Sequence, residues 1–219
     1  RAALVADLES ALPRARAAGA DAVDVYCDVG AFTLAETESL LRAGRAAGLL
    51  LRCHAEQFTH TGAAALAAGL GARSVEHLEE INDADVAALR AAGTVANLLP
   101  GAALTLRLRW PDGRRLLDAG IPVALGTDLN PGSSLTESLP LMMTLACTQM
   151  GLTCAEAFLG VTAVAARSIG DPDAGRLCPG SHGDVVLWEA ERYREVCQHF
   201  GVPLVHAVYV GGVPADADG

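Results

Sequence analysis

The sequence predicts an α/β fold of parallel strand-helix units followed by a short antiparallel β appendage. Three observations carry the prediction. Between residues 21 and 128, short β-rich runs alternate strictly with Ala/Leu-rich helical ones. Strands joined by helices in this way run parallel, because each crossover returns the chain to the same end of the sheet. After residue 132 the alternation stops, and from Gly175 onward short apolar runs separated by Gly and Pro replace it.

Taken in order, the chain opens on Arg1 rather than Met, inside the amphipathic stretch RAALVADLESALPRARAAG. That predicts a start within a helix and further chain upstream. Five strands are expected in DAVDVYCD, GLLLRCHAE, RSVEHLE, GTVANLLP and IPVALGTD. They read as continuously apolar, as strands covered on both faces do. Thr33 followed by Glu36 is a capping box, and Asn82 stands before the periodic DADVAALRAAG, so a helix should begin at each. Gly48, Gly71, Gly93 and Gly120 come where helices should end. Two architectures accommodate this alternation: an open doubly wound sheet, or a piece of a (β/α)8 barrel. Beyond it, SLTESLPLMMTLACTQMG and TCAEAFLGVTAVAARSIG read as helices, the second opened by Thr153 and Glu156 in another capping box. The stretches GRLCPGSHGDVVLWEA and VPLVHAVYVGGVP read as antiparallel strands. The expected domains are 1-174, a (β/α) barrel part, and 175-219, a β appendage.

Composition narrows the partners. The chain is 51% hydrophobic with mean hydropathy +0.30, and carries a formal net charge of -10 with a pI near 4.9. With no run of Lys or Arg, it lacks the concentrated positive charge that nucleic acid or an anionic membrane requires. A small-molecule ligand is expected instead. No apolar stretch reaches the roughly 18 residues of a membrane span, and a cytoplasmic location is the expectation. The six cysteines form no CxxC pair and lie mostly in apolar segments, which reads as buried reduced thiols.

Three of the expected strands end in groups able to bind a metal or move a proton: His54, His77 and Asp128. In parallel α/β folds ligands bind at the C-terminal ends of strands, so this placement favours a site. A single His at such an end is more often structural; three compatible groups weigh evenly between the two readings. His60 reads as surface at a helix start, and His182, His199 and His206 as structural. Imidazole and carboxylate both suit Zn²⁺ or Fe²⁺, although His54 and Asp128 alone are too few for a hydrolytic centre. Behind Asp128, Pro131 and Gly132 set a tight turn in which Asn130 and Ser133 offer donors. Such a loop would suit a carboxylate or a ring amide; an ordinary turn before a helix is the other reading.

HAEQ at 54 to 57, SVEHLE at 74 to 79, VANLLPGAA at 95 to 103 and GTDLNPGSS followed by LPLMMTLACTQMGLT resemble the imidazolonepropionases, a family of the amidohydrolase superfamily. The resemblance covers almost the whole chain, and its most specific part is TDxNPGS joined to LMMxLACT. It implies a metal-bearing (β/α)8 TIM barrel, here about strands 4 to 8, with the C-terminal part of a small β-sandwich at 175-219. The implied activity is hydrolysis of 4-imidazolone-5-propanoate to N-formimidoyl-L-glutamate in histidine degradation, with one divalent ion, Zn or Fe. By this resemblance His54 and Asp128 are metal ligands, and Gln57 and Ser133 contact substrate. Asn130 and Gly132 hold the ring-opened product, His77 polarises the carbonyl or orients the water, and Asp128 also relays the proton. The family's HxH metal pair is absent from the sequence, so the chain is expected to be a C-terminal portion, inactive alone; a homodimer is the implied assembly. Two alternatives stay open: another amidohydrolase of the deaminase type, or a noncatalytic module derived from the fold.

Overall fold

A computed structural model describes residues 1-215. In chain order the elements are α1 (Ala2–Ala17), β1 (Ala22–Cys27), α2 (Leu34–Ala46), β2 (Leu50–Ala55), α3 (Ala63–Gly69), β3 (Ser74–His77), α4 (Asp83–Ala92), β4 (Val95–Leu98), α5 (Pro100–Leu106), α6 (Gly113–Asp118), β5 (Val123–Leu125), α7 (Leu139–Gln149), α8 (Cys154–Val161), α9 (Ala163–Ile169), β6 (Val185–Trp188), α10 (Tyr193–Gln198), β7 (Val205–Val210) and β8 (Val213–Pro214). The chain divides into two compact units, residues 1-98 with 108-123, and residues 99-107 with 124-219.

The first unit is built on a sheet in the order β1-β2-β3-β4-β5. Adjacent strands from β1 through β4 are parallel, with Tyr26 opposite His54, His54 opposite Glu76 and Glu76 opposite Asn97. Where β5 begins, the Ala96 N–H donates to the Pro122 carbonyl at 2.9 Å. All five predicted strands are present.

The strands are not apolar on both faces, as the sequence suggested. Val25, Cys27, Leu51, Cys53, Ala55, Val75 and Ala96 are buried on one side, where α2 packs on β1 and β2, and α3 on β2 and β3. The alternate positions carry Asp24, Tyr26, Arg52, His54, Ser74, Glu76 and Asn97. The period of two therefore separates an oily face from a polar one. Each fully buried Leu or Val on the oily side contributes about 1.5–3 kcal/mol relative to exposure.

The helix starts follow the sequence. Thr33 and Asn82 cap α2 and α4 with full capping boxes to Glu36 and Asp85, satisfying N–H groups that have no partner within the helix. Gly48, Gly71, Gly93 and Gly120 all have positive φ. On α2, a Cβ at Gly44 would overlap Val23 Cγ1, so this glycine sets how closely helix and strand approach.

In the second unit α7 packs on α5, α8 and α10. The Thr144 hydroxyl, in α7, donates to the carbonyl of Cys197, in α10, at 2.8 Å. The stretch expected as one helix over 153-170 is two, separated at Thr162 (φ -125°, ψ -101°). Gly175 passes this point with φ 70°, so close that a Cβ would lie 2.5 Å from the Thr162 carbonyl, and the break makes room for the crossing. Helix α7 starts at Ser138, later than the sequence pattern implied, because residues 130-134 are spent on a turn. β6, β7 and β8 form an antiparallel three-stranded sheet, with Pro214 on its end strand, where a missing N–H is tolerated. Helix α10, between β6 and β7, carries no signal the sequence reading used.

Candidate active site

The polar face of the first unit's sheet is organised by charge. Arg52 places Nε and Nη2 at 3.1 and 2.8 Å from Glu76 Oε1, which also accepts from the Ser74 hydroxyl at 2.6 Å. Glu76 Oε2 is buried with no hydrogen-bond partner. On the neighbouring strand, His54 Nδ1 lies 3.0 and 2.9 Å from the two carboxylate oxygens of Asp24. A carboxylate only accepts, so Nδ1 carries the proton and Nε2 is the ring's ligand or acceptor end. A carboxylate behind the imidazole is the usual support of a metal-binding His, and His54 fits a divalent ion on that ground. Asp24, His54 and Glu76 each bring a ligand atom within 4.8 Å of the others.

His77 closes β3, its ring centroid 5.4 Å from that of His54. Its Nδ1 lies 3.6 Å from Glu79 Oε1, beyond hydrogen-bond length, and both groups are almost fully buried. Burial pushes the Glu79 carboxyl up, and His77 only partly offsets it. Gln57 is buried, its side-chain carbonyl accepting from the Tyr26 hydroxyl at 2.9 Å. The loop carrying Gln57 is held by two acids that the sequence reading passed over. The Asp28 carboxylate accepts from the N–H of Phe58 (2.8 Å) and the hydroxyl of Thr59 (2.7 Å). Burial raises the Asp28 pKa, but these donors outweigh it and hold the group below its ordinary value. Glu56, fully buried, accepts from the N–H groups of Thr61 and Ala64. His60, partly exposed as a helix-start residue, has its Nε2 2.9 Å from Asp85 Oδ2 and 2.8 Å from Asn82 Nδ2 at the start of α4, and with Glu56 and Asp85 it brings another set of ligand atoms within 4.8 Å of one another.

In the second unit Asp128 opens a tight loop centred on Asn130. The Asn130 amide donates to the Asp128 carbonyl at 2.8 Å, and its Oδ1 accepts from the N–H groups of Gly132 (2.9 Å) and Ser133 (2.8 Å). The Ser133 hydroxyl lies 3.5 Å from Asp128 Oδ2. Ser134 pairs with Asn130 through both backbone bonds, and its hydroxyl donates to the Thr127 carbonyl. The predicted residues thus form two groups, His54, Gln57 and His77 in one unit and Asp128, Asn130, Gly132 and Ser133 in the other. Backbone strain marks both. Among the described residues, the non-glycine positive-φ positions are Glu56, His77, Leu78, Arg107 and Asp128. Three of the five end or immediately follow β2 or β3, and Asp128 lies three residues beyond β5. Such conformations cost of order 1–3 kcal/mol each and cluster at functional sites.

A family model described as the amidohydrolase family matches residues 4–214. The chain belongs to the amidohydrolase family. Among curated relatives of this amidohydrolase chain, the imidazolonepropionase of Streptomyces griseus subsp. griseus is 46% identical over 205 residues, 94% of this chain and 51% of the relative. That of Myxococcus xanthus is 44% identical over 207 residues, 94% of this chain and 49% of the relative. The chain spans about half the length of the curated relatives it matches. Among solved structures, a zinc-bound adenosine deaminase from Xanthomonas campestris superposes with a TM-score of 0.71 at 17% identity, covering 88% of this chain and 51% of that one. A guanine deaminase from C. acetobutylicum, with guanine in its active site, gives 0.68 at 14%, covering 85% and 53%. At these identities the likeness is one of fold.

Sequence reasoning singled out His54, His77 and Asp128 and passed over Asp24, Glu76 and Glu79, which lie beside two of them. The signal for Asp24 and Glu76 was the alternation within DAVDVYCD and RSVEHLE, which puts every second residue on the face that bears His54. Glu79 follows β3 and carries no period to betray it.

Proposed function

We propose that the protein carrying this chain is an imidazolonepropionase, hydrolysing 4-imidazolone-5-propanoate to N-formimidoyl-L-glutamate. The observation that carries the reading is the 44–46% identity to imidazolonepropionases across 94% of the chain, together with the strained, polar strand ends. The architecture proposed with it is a partial (β/α)8 barrel over 1-174 and the C-terminal share of a β-sandwich over 175-219. One divalent ion, Zn or Fe, serves the site, and when bound it supplies Lewis acidity and a water of lowered pKa.

The chain's residues then divide the work. His54, fixed by Asp24, presents Nε2 as a ligand, and Asp128 is the second ligand this chain contributes. Asp128 also takes the proton of the attacking water and delivers it to the departing ring nitrogen, which completes the ring opening. His77 polarises the ring carbonyl or orients the water. Gln57 and Ser133 contact the substrate, and the loop that Asn130 holds, with the Gly132 N–H, receives the opened product. The enzyme is read as cytoplasmic and homodimeric, acting on a small molecule, with no nucleic acid or membrane partner.

The test is turnover of 4-imidazolone-5-propanoate by the full-length product of the gene encoding this chain, with metal content measured alongside. N-formimidoyl-L-glutamate and about one ion per chain are expected. His54→Ala and Asp128→Asn should each lower metal content and cut kcat/KM by at least about 100-fold, no less than the loss of a residue that merely supports a ligand. Asp24→Asn should weaken metal affinity by about 10–100-fold, the usual cost of removing a supporting carboxylate. Deamination of an aminopurine in place of imidazolone hydrolysis would overturn the assignment.

A further inference from the structure

Three of the six cysteines come together in the second unit, and none of them was given a role above. Cys147 lies in α7, Cys154 opens α8 and Cys197 lies in α10. Their three sulfurs are all within 4.8 Å of one another. None is in a disulfide; Cys197 is buried, and Cys147 and Cys154 are half-buried. Positions 7 and 50 residues apart from Cys147 meet here because α7 packs on both α8 and α10, with the Thr144 hydroxyl fastening the backbone at Cys197.

We propose that Cys147, Cys154 and Cys197 form a trithiolate site for a soft d¹⁰ cation of the Zn²⁺ class. Zinc-sulfur bonds of about 2.3 Å set tetrahedral sulfurs about 3.8 Å apart, so the present triangle closes on an ion with sub-ångström shifts of flexible side chains. Three mutually adjacent thiols fit a cation better than a disulfide, which joins two at about 2.05 Å and strands the third. Hydrogen bonding among the thiols, from Cys197 first, lowers the Cys147 pKa to about 7, while Cys154, by burial first, and Cys197, by its bond to Cys147 first, are raised. A thiolate is the form that binds metal, and the thiol protons pass to solvent as the ion enters. Cys154 borders a groove also lined by Thr153, Tyr193, Arg194 and Gln198, which supplies the entry path and a fourth position for water or an outside ligand.

The site is independent of the hydrolytic reading, and its test uses the full-length product with Cd²⁺ alone as probe. The thiol-reduced protein is titrated anaerobically and followed by its thiolate-to-cadmium charge-transfer absorption, to which histidine and carboxylate ligands contribute nothing. The expected result is a band saturating at one Cd²⁺ per chain, and one that also forms when Cd²⁺ is added to protein preloaded with Zn²⁺. Cys154→Ser should remove about a third of its intensity, the share of one sulfur in three. Cys178→Ser, at an exposed cysteine outside the cluster, should leave it unchanged. No band in protein whose cysteines all titrate as free thiols would overturn the proposal without touching the fold. So would a band that survives Cys147→Ser combined with Cys154→Ser, or a thiol count two short in metal-free protein, which would mean a disulfide.

Discussion

Glu79 has neither carboxylate oxygen in a hydrogen bond, and the ring nitrogen of His77 stands 3.6 Å away. Its pKa in the folded chain is raised above the ordinary 4.5, by burial first. A carboxyl with a raised folded pKa binds its proton more tightly folded than unfolded. The charged form therefore costs stability, a cost absent below pH 4.5 that grows as pH rises toward the folded pKa and then levels off. Glu79→Gln should accordingly raise the urea midpoint at neutral pH and leave it nearly unchanged in acid. Destabilisation at every pH would instead make the His77–Glu79 pair a net contributor to the fold. Among single residues, those singled out in the sequence were His54, His77 and Asp128, chosen by side-chain chemistry near a strand's C-terminal end; His77 ends β3, His54 is next to last in β2 and Asp128 lies three residues beyond β5. Glu79 was not singled out, because its role comes from burial, and burial depends on packing that no local pattern encodes.

For whole elements the sequence was read more completely, since caps and periods are local. Thr33 and Thr153 make the capping boxes their sequences announced, and Asn82, read only as a helix start, makes one with Asp85. What failed was the two-sided apolar reading of the strands. Asp24, Arg52 and Glu76 were absorbed into runs dominated by Val, Leu and Cys, and only the register against neighbours shows that they share a face. The helix break at Thr162 escaped for a similar reason: the segment packed closely against it, at Gly175, is distant in sequence. The contact of α2 with β1 gives a test at this scale. Gly44→Ala gains helix propensity of up to about 1 kcal/mol, yet its methyl meets the stiff, β-branched Val23. A net loss of about 1–2 kcal/mol is expected, because overpacking outweighs propensity. Adding Val23→Ala should recover part of it, and additive losses in that double-mutant cycle would show that the two positions do not touch.

Taken whole, the chain combines a net charge of -10 with a sheet whose order ends at β1 and β5. End strands carry backbone donors and acceptors that invite pairing with another chain. Repulsion between acidic copies opposes that pairing, and salt screens it. The 219-residue chain should therefore self-associate more at high than at low ionic strength, as sedimentation velocity over a concentration series would reveal. A monomer at every salt concentration would show the sheet ends to be protected. The molecule's chemical lifetime is a separate matter, and the loop behind Asp128 bears on it. Asparagine ages when the next backbone nitrogen attacks the side-chain amide and closes a succinimide. Asn130, which holds that loop together, is followed by Pro131, whose nitrogen has no proton to give up. The side chain on which the loop's shape depends is thereby shielded from the commonest route of spontaneous decay, and a stored sample should lose other asparagines first.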